Sequence, residues 1–312
     1  MRIKKMLNRV LTLRLEEAIA VVFFLPMVYF TTKAYVYFLI QGKVPHRITG
    51  DMQRIWVTLA VLVLFLLIIK YKPNWKLLRD WLPFGFCIAI YTNLHDTVHF
   101  VNMADIHGLL IKIDDWMFGV QPCVWTERFI NPILTDIFIA AYANYFILTI
   151  GVALVLYFQH RYKEFRYALL TIIICYYIGY FLFIIFPAAP PRIVLKPFFT
   201  VSLHGKLLEP IKHAIEISAQ ESRGAFPSLH CATSFLSLFF AWRYVRWLFW
   251  VMIPMVIMLI ASTIYLRHHY VIDLFAGFVL AIFVFWLGPK LEDWWNGVRE
   301  KYSVKPNLDE SE

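Results

Sequence analysis

His269 and Asp273 stand four residues apart, which on a helix places an imidazole and a carboxylate on nearly one face, one turn apart. A carboxylate there holds the ring N–H, fixes the tautomer and leaves the other nitrogen as a nucleophile. His230 is a second imidazole, suited to protonating a leaving oxygen. Arg192 and Arg267 offer forked guanidinium groups for phosphate oxygens. Ser228 opens a segment whose first N–H groups favour an anion if it is helical. Together they describe phosphoryl transfer. His269, His230 and Asp273 form the catalytic set, and Arg192, Ser228 and Arg267 the phosphate cradle. The chemistry calls for no metal and no cofactor.

The elements that must position these residues are membrane helices. Of the 312 residues, 60% are apolar and only 16% charged, against a usual share of about 25%. A soluble core cannot bury so much apolar surface, and the chain reads as an all-α polytopic membrane bundle. Eight stretches are predicted to cross, over 18–40, 55–69, 81–99, 137–158, 167–186, 227–242, 247–266 and 270–287. The alternate connections carry 18 Lys and Arg against 11, with Lys33 inside the first stretch. The positive-inside rule then puts both termini in the cytoplasm and the site on the periplasmic, luminal or extracellular side. The net charge of +9 is thus mainly a topology signal, and nucleic-acid binding loses its motive. The basic start is read as a retained first helix rather than a cleaved leader.

The organisation expected is a cytoplasmic segment with two added crossings (1–80), a six-helix catalytic core (81–290) and a polar tail (291–312), frayed from Asn296. Between the third and fourth crossings, Ile106, Leu109, Leu110, Ile113, Trp116 and Met117 repeat at helical spacing. They predict an amphipathic helix on the outer interface. Arg192, Ser228, His230, Arg267, His269 and Asp273, distant in sequence, all fall at the outer level. Ionisable residues at membrane depth are costly and mark function by default.

Other chemistries fit less well. His95-Asp96-Thr97-Val98-His99 has the spacing of a zinc helix, but Asp shortens the base of that motif and the segment ends a crossing. Haem ligation by paired histidines sits poorly beside two arginines. His268 points about 100° from His269 on a helix and reads as structural or interfacial. A non-catalytic transporter or lipid-binding protein would require the His–His–Asp alignment to be accidental.

Three stretches carry a family resemblance: Pro190-Pro191-Arg192, Phe226-Pro227-Ser228-Leu229-His230, and Tyr265 through Asp273 (YLRHHYVID). They resemble the motifs of the type 2 phosphatidic acid phosphatase superfamily. FPSLH and HHYxxD, with the upstream Asp115-Trp116-Met117-Phe118-Gly119, look like its inositol phosphorylceramide synthase branch. The resemblance implies that His269 forms a phosphohistidine, that Asp273 orients it, and that His230 serves as acid and then base. It implies that Arg192 and Ser228 bind phosphate. The chain departs from the phosphatase pattern at Ile185, Leu229 and Thr263, where Lys, Gly and Arg are usual; Arg267 stands near the last of these. Two activities follow from one site. One moves a phosphorylated headgroup, inositol phosphate in the leading form, from a phospholipid to a ceramide-like lipid alcohol. The other hydrolyses a lipid phosphate or isoprenoid pyrophosphate. The expected partners are lipid substrates in the membrane.

Overall fold

A computed structural model describes residues 10–72, 75–98, 102–218 and 222–302, without the side chains of residues 47, 92 and 95–97. The HDTVH segment therefore lies outside the described side chains. The chain is a helical bundle in the order α1 (Leu15–Ile40), α2 (His46–Tyr71), α3 (Lys76–Thr97), α4 (His107–Phe118), α5 (Pro132–Ala143) and α6 (Tyr145–Phe158). It continues with α7 (Tyr162–Ile185), α8 (Glu209–Ser218), α9 (Leu229–Tyr244), α10 (Arg246–Tyr265) and α11 (Val271–Lys301), with short helical turns between. Among the described residues the only β pairing is an isolated parallel bridge between Ala188 and Gly224.

Among the described residues five helices, within α1, α2, α7, α10 and α11, are long and apolar enough to cross a membrane. The α5–α6 pair, bent by 41° at Asn144, makes a sixth if taken as one span. The all-α polytopic bundle is as expected, and six of the eight expected crossings meet this length and composition. The other two stretches are helices of the same bundle that fall short for physical reasons. With 16 residues, α9 reaches about 24 Å, less than the hydrocarbon thickness. Lys76, Arg79, Asp80 and Asp96 dilute the apolar run of α3.

Helix α7 is the axis, buried along most of its length and packed by α3, α6, α9 and α11. The first two helices lean on α3, and α1 also touches α7. At the end of the bundle opposite the PAAPPR loop a buried clasp fixes them. Arg79 Nε meets Glu17 Oε1 at 2.7 Å, and Arg14 meets Asp80 at 2.6 Å. Arg166 pairs with Glu16 at 3.3 Å. Arg299 donates to the Leu11 and Leu13 carbonyls. Consequently α11 stays helical to Lys301, and the fraying expected from Asn296 does not occur before that residue. All four cysteines are free and buried.

Candidate active site

The site is assembled by main-chain hydrogen bonds among three loops at one end of the bundle. The Ala188 N–H donates to Arg223 O at 3.0 Å, and Ala225 N–H to Ala188 O at 3.1 Å, which joins the PAAPPR loop to the loop before α9. The Arg192 N–H donates to Arg267 O at 2.8 Å, which joins PAAPPR to the loop before α11. The Ser228 N–H donates to Asp273 O at 3.0 Å and closes the triangle. Gly277, one turn below Asp273, makes this last contact possible, because a Cβ there would overlap the Ser228 carbonyl.

Within that frame His269 Nδ1 lies 3.3 Å from Asp273 Oδ2, and His269 Nε2 lies 3.2 Å from His230 Nδ1. Asp273 is fully buried and His269 nearly so. The expected pair forms, but not for the expected reason. His269 precedes the helix, since Tyr270 is the N-cap of α11. Asp273 is the third helical residue, and its Oδ2 turns back to accept the Tyr270 N–H at 2.9 Å and to reach the imidazole. A capping carboxylate thus doubles as the orienting acid. With the carboxylate on Nδ1–H, His269 Nε2 is left with a lone pair, and the hydrogen bond to His230 assigns the shared proton to His230 Nδ1.

Ser228 is the buried N-cap of α9, its Oγ accepting the Cys231 N–H at 3.3 Å while its own O–H remains to donate. Arg192 is half-buried in the helical turn Pro191–Val194, and its charge acts on His268. Arg267 is placed differently from the expectation of a phosphate clamp. Its backbone is left-handed (φ 63°). Its guanidinium pairs with Glu127 at 2.7 Å, donates to Val201 O at 2.8 Å and lies 3.8 Å over the Phe199 ring. Although burial alone would raise it, Glu127's carboxyl is held below its ordinary range by Thr200 and Val201 hydrogen bonds and by Arg267. Arg267 thus anchors the outer loop, and only its carbonyl serves the site. Arg223 pairs with Asp105 at 3.0 Å, another loop anchor.

Several residues at the site carried no sequence signal of their role. Tyr142 and Tyr145 flank the α5–α6 break and wall the histidines. Tyr145 lies 4.2 Å and Tyr142 4.8 Å from the His230 ring, and Tyr142 stacks on His268 at 4.5 Å. Burial, and then the charge of Arg192, push the His268 imidazole well below its ordinary value. On the amphipathic helix α4, Trp116 is exposed while Leu110 and Asp114 are buried. The Asp114 carboxylate accepts the Val271 N–H at 2.8 Å and the Ile272 N–H at 3.0 Å, capping α11 beside His269. The interfacial helix is therefore a brace for the catalytic helix. A carboxylate on the same face as an inward leucine, at i and i+4, was the available signal.

No solved structure was found to match the chain. A PA-phosphatase related-family protein of Dictyostelium discoideum is 32% identical over 114 residues, 35% of this chain and 20% of that relative. The inositol phosphorylceramide synthase catalytic subunit of Saccharomyces cerevisiae is 43% identical over 74 residues, 20% of this chain and 16% of that relative. The chain thus matches a fifth or less of either relative's length. A family model described as the PAP2 superfamily matches residues 109–287, which include most of α4 and every residue of the proposed site. More than half the chain, with the whole His–His–Asp constellation inside the match, is accounted for by one family: this integral membrane protein belongs to the PAP2 superfamily.

Proposed function

We propose that the protein is a lipid phosphotransferase that carries a phosphorylated headgroup from a phospholipid to a lipid alcohol through a phosphohistidine on His269. The observation that carries the reading is the unbroken line Asp273–His269–His230, with contacts of 3.3 and 3.2 Å. Asp273 holds Nδ1–H, so His269 Nε2 attacks phosphorus. His230, carrying protons on both ring nitrogens, delivers the Nδ1 proton to the departing alkoxide oxygen as the P–O bond breaks and is left neutral. In the second half-reaction His230 Nδ1 takes the proton of the acceptor hydroxyl, whose oxygen attacks phosphorus and expels His269. The two rings must part to admit phosphorus between them. Arg192 and the Ser228 hydroxyl hold the non-bridging oxygens as their charge grows. Tyr142 and Tyr145 keep the His230 edge out of water.

Inositol phosphate as the group carried, and a ceramide-like acceptor, are supported by the 43% identity to the yeast synthase subunit. Hydrolysis by the same steps, with water as acceptor, is supported by the 32% identity to the Dictyostelium phosphatase-related protein. The excess of Lys and Arg in the opposite connections supports a site on the non-cytoplasmic side.

Lipid mass spectrometry of cells with and without the gene tests the reading. Loss of one phosphosphingolipid class is expected, and an accumulated lipid phosphate in its place would turn the assignment to hydrolysis. Unchanged lipids in both classes, with turnover in His269→Ala equal to wild type, would overturn the mechanism.

A further inference from the structure

In the mechanism above His230 starts as a cation, yet among the described residues no carboxylate pairs with it. The two carboxylates at the site are engaged elsewhere: Asp273 with His269 and the Tyr270 N–H, Asp114 with the Val271 and Ile272 N–H groups. An imidazolium enclosed by protein loses hydration, which is costly unless something attracts it. What the structure sets against this ring is aromatic. The Tyr145 and His230 ring centroids are 4.2 Å apart with the planes at 43°, and those of Tyr142 and His230 are 4.8 Å apart at 33°. The two tyrosines stand on either side of the bend at Asn144, one closing α5 and the other opening α6.

Both rings are held in place. Tyr145 is buried, and its hydroxyl is met from two other helices: by the Tyr176 hydroxyl of α7 at 2.6 Å and by Thr233 Oγ1 of α9 at 3.4 Å. Thr233 is tied in turn to Leu229 O at 2.9 Å and to Thr149 at 3.2 Å. Tyr142 is backed by His268, stacked on it at 4.5 Å. The other titratable group against His230 is His269 from the loop before α11, 3.2 Å away and itself neutral when it attacks. Tyr265 of α10 is turned to Thr135 at 3.0 Å, and Arg192 adds a further positive charge at this end of the bundle. The attraction left for a charged His230 is that of the ring faces. A cation within about 6 Å of a phenol centroid is drawn to the negative face of the ring, more strongly where water is excluded.

We propose, building on the phosphotransfer reading above, that Tyr142 and Tyr145 are positioning residues for the acid, and that their ring faces stabilise His230 in its doubly protonated form. The attraction is lost when the Nδ1 proton passes to the departing oxygen. It is recovered when neutral His230 takes the proton of the acceptor hydroxyl. The clamp therefore keeps His230 charged before the first step and makes it a better base in the second. The attraction comes from the ring face and does not need the phenol oxygen, so a phenyl ring in the same place supplies it too.

Ring fluorination separates this role from packing, because it depletes the π face with little change of shape. The full-length purified protein is prepared with Tyr145→Phe and with 3,4,5-trifluorophenylalanine at the same position, and a second pair is made at position 142. Phosphatidic acid and phosphatidylinositol with ceramide are both offered in mixed micelles, and kcat/KM is followed across pH for the one turned over. The substrate's own titration is common to both members of a pair. The reactive form needs His269 neutral and His230 charged, so the basic limb of the profile reports the proton that the pair of histidines loses. Weakening a stabiliser of the cation moves that limb to lower pH, by about half a unit to one unit for the fluorinated ring relative to Phe. A ring that only packs would leave it where it was. Size-exclusion profiles and Tm establish that each variant is folded. Basic limbs that coincide within both pairs, or that move to higher pH, would overturn the inference and leave the phosphotransfer reading intact. A wild-type profile without a basic limb, or a His230→Ala protein as active as wild type, would remove His230 as the acid, and the inference with it.

Discussion

Two ends of the bundle bury charge, and they do so in different ways. At the end that holds the clasp each cation meets an anion or a carbonyl: Arg79 with Glu17, Arg14 with Asp80, Arg166 with Glu16, Arg299 with two main-chain oxygens. At the outer end the loops are joined through main chain, and the reactive atoms face one another: His269 Nε2 toward His230 Nδ1. The first arrangement pairs charge with charge, and removing either partner of a pair is costly. The second has binding capacity left over, which a substrate can use. Charge at a membrane end thus marks a reactive site when the fold fixes the backbone and leaves the side-chain valences open.

The largest effects should separate the two ends cleanly. His269→Ala is expected to lower turnover by at least ~10³-fold, and Asp273→Asn by roughly 10²-fold or more, with little change in Tm. Glu17→Ala should do the reverse. It leaves Arg79 buried without its carboxylate, at a cost of about 3–5 kcal/mol, while the folded fraction keeps its specific activity. Thermal unfolding in detergent alongside a fluorescent lipid phosphate assay reads both. If Glu17→Ala lost activity per folded molecule as deeply as Asp273→Asn, the division between clasp and site would fail.

The sequence showed the outer cluster because its residue types are rare at that depth and share a level. Spacing alone paired His269 with Asp273, and the pair is real, but it rests on an N-cap rather than on one helix face. Spacing does not encode where a long side chain goes, so Arg267 looked like a phosphate ligand, whereas Glu127 and Phe199 hold it. Nor does it encode what an inward residue of an amphipathic helix touches, which hid Asp114. The buried clasp was invisible for another reason. Arg14, Arg79, Arg166 and Arg299 are also topology signals, and the composition accounts for them before any contact is known. The two helices that fall short of a crossing, α3 by its charged residues and α9 by its length, are those that bring charge or the His230 N-terminus into the bundle. Function there diluted or shortened the apolar pattern.

Intermediate effects test whether the outer end is fixed by its backbone frame. Asp114→Ala removes the carboxylate that accepts two N–H groups of α11. Hydrogen bonds to a charged group contribute about 1.5–3 kcal/mol each, so a roughly ten- to hundredfold fall in kcat with a smaller change in KM is expected. Asp114→Asn should recover part of it. Gly277→Ala forces α11 from the Ser228 carbonyl. Overpacking of this kind costs about 1–3 kcal/mol, and here it should appear in kcat as well as in Tm. A Gly277→Ala protein with reduced Tm and unaltered kcat would mean that the Ser228–Asp273 link is a packing contact without bearing on the site.

The smallest effect is in pH, and its sign follows from burial. The His268 imidazole, shut in against Tyr142 with Arg192 close by, resists protonation in the folded protein, while in the unfolded chain it titrates near its ordinary value of about 6.5. Above that pH both states hold His268 neutral and its contribution to stability is whole. As pH falls below it, the unfolded chain takes up the proton first, so the folded state loses ground until the depressed folded value is reached. His268→Gln keeps a polar group against Tyr142 and removes the titration. The difference in Tm between wild type and His268→Gln should therefore be constant from pH 8 to about 6.5 and fall, to the disadvantage of wild type, between about 6.5 and 5. A difference that stays flat across the whole range would mean that His268 is as free to protonate as an exposed histidine, and that the Tyr142 wall does not seal the site end as the buried clasp seals the other.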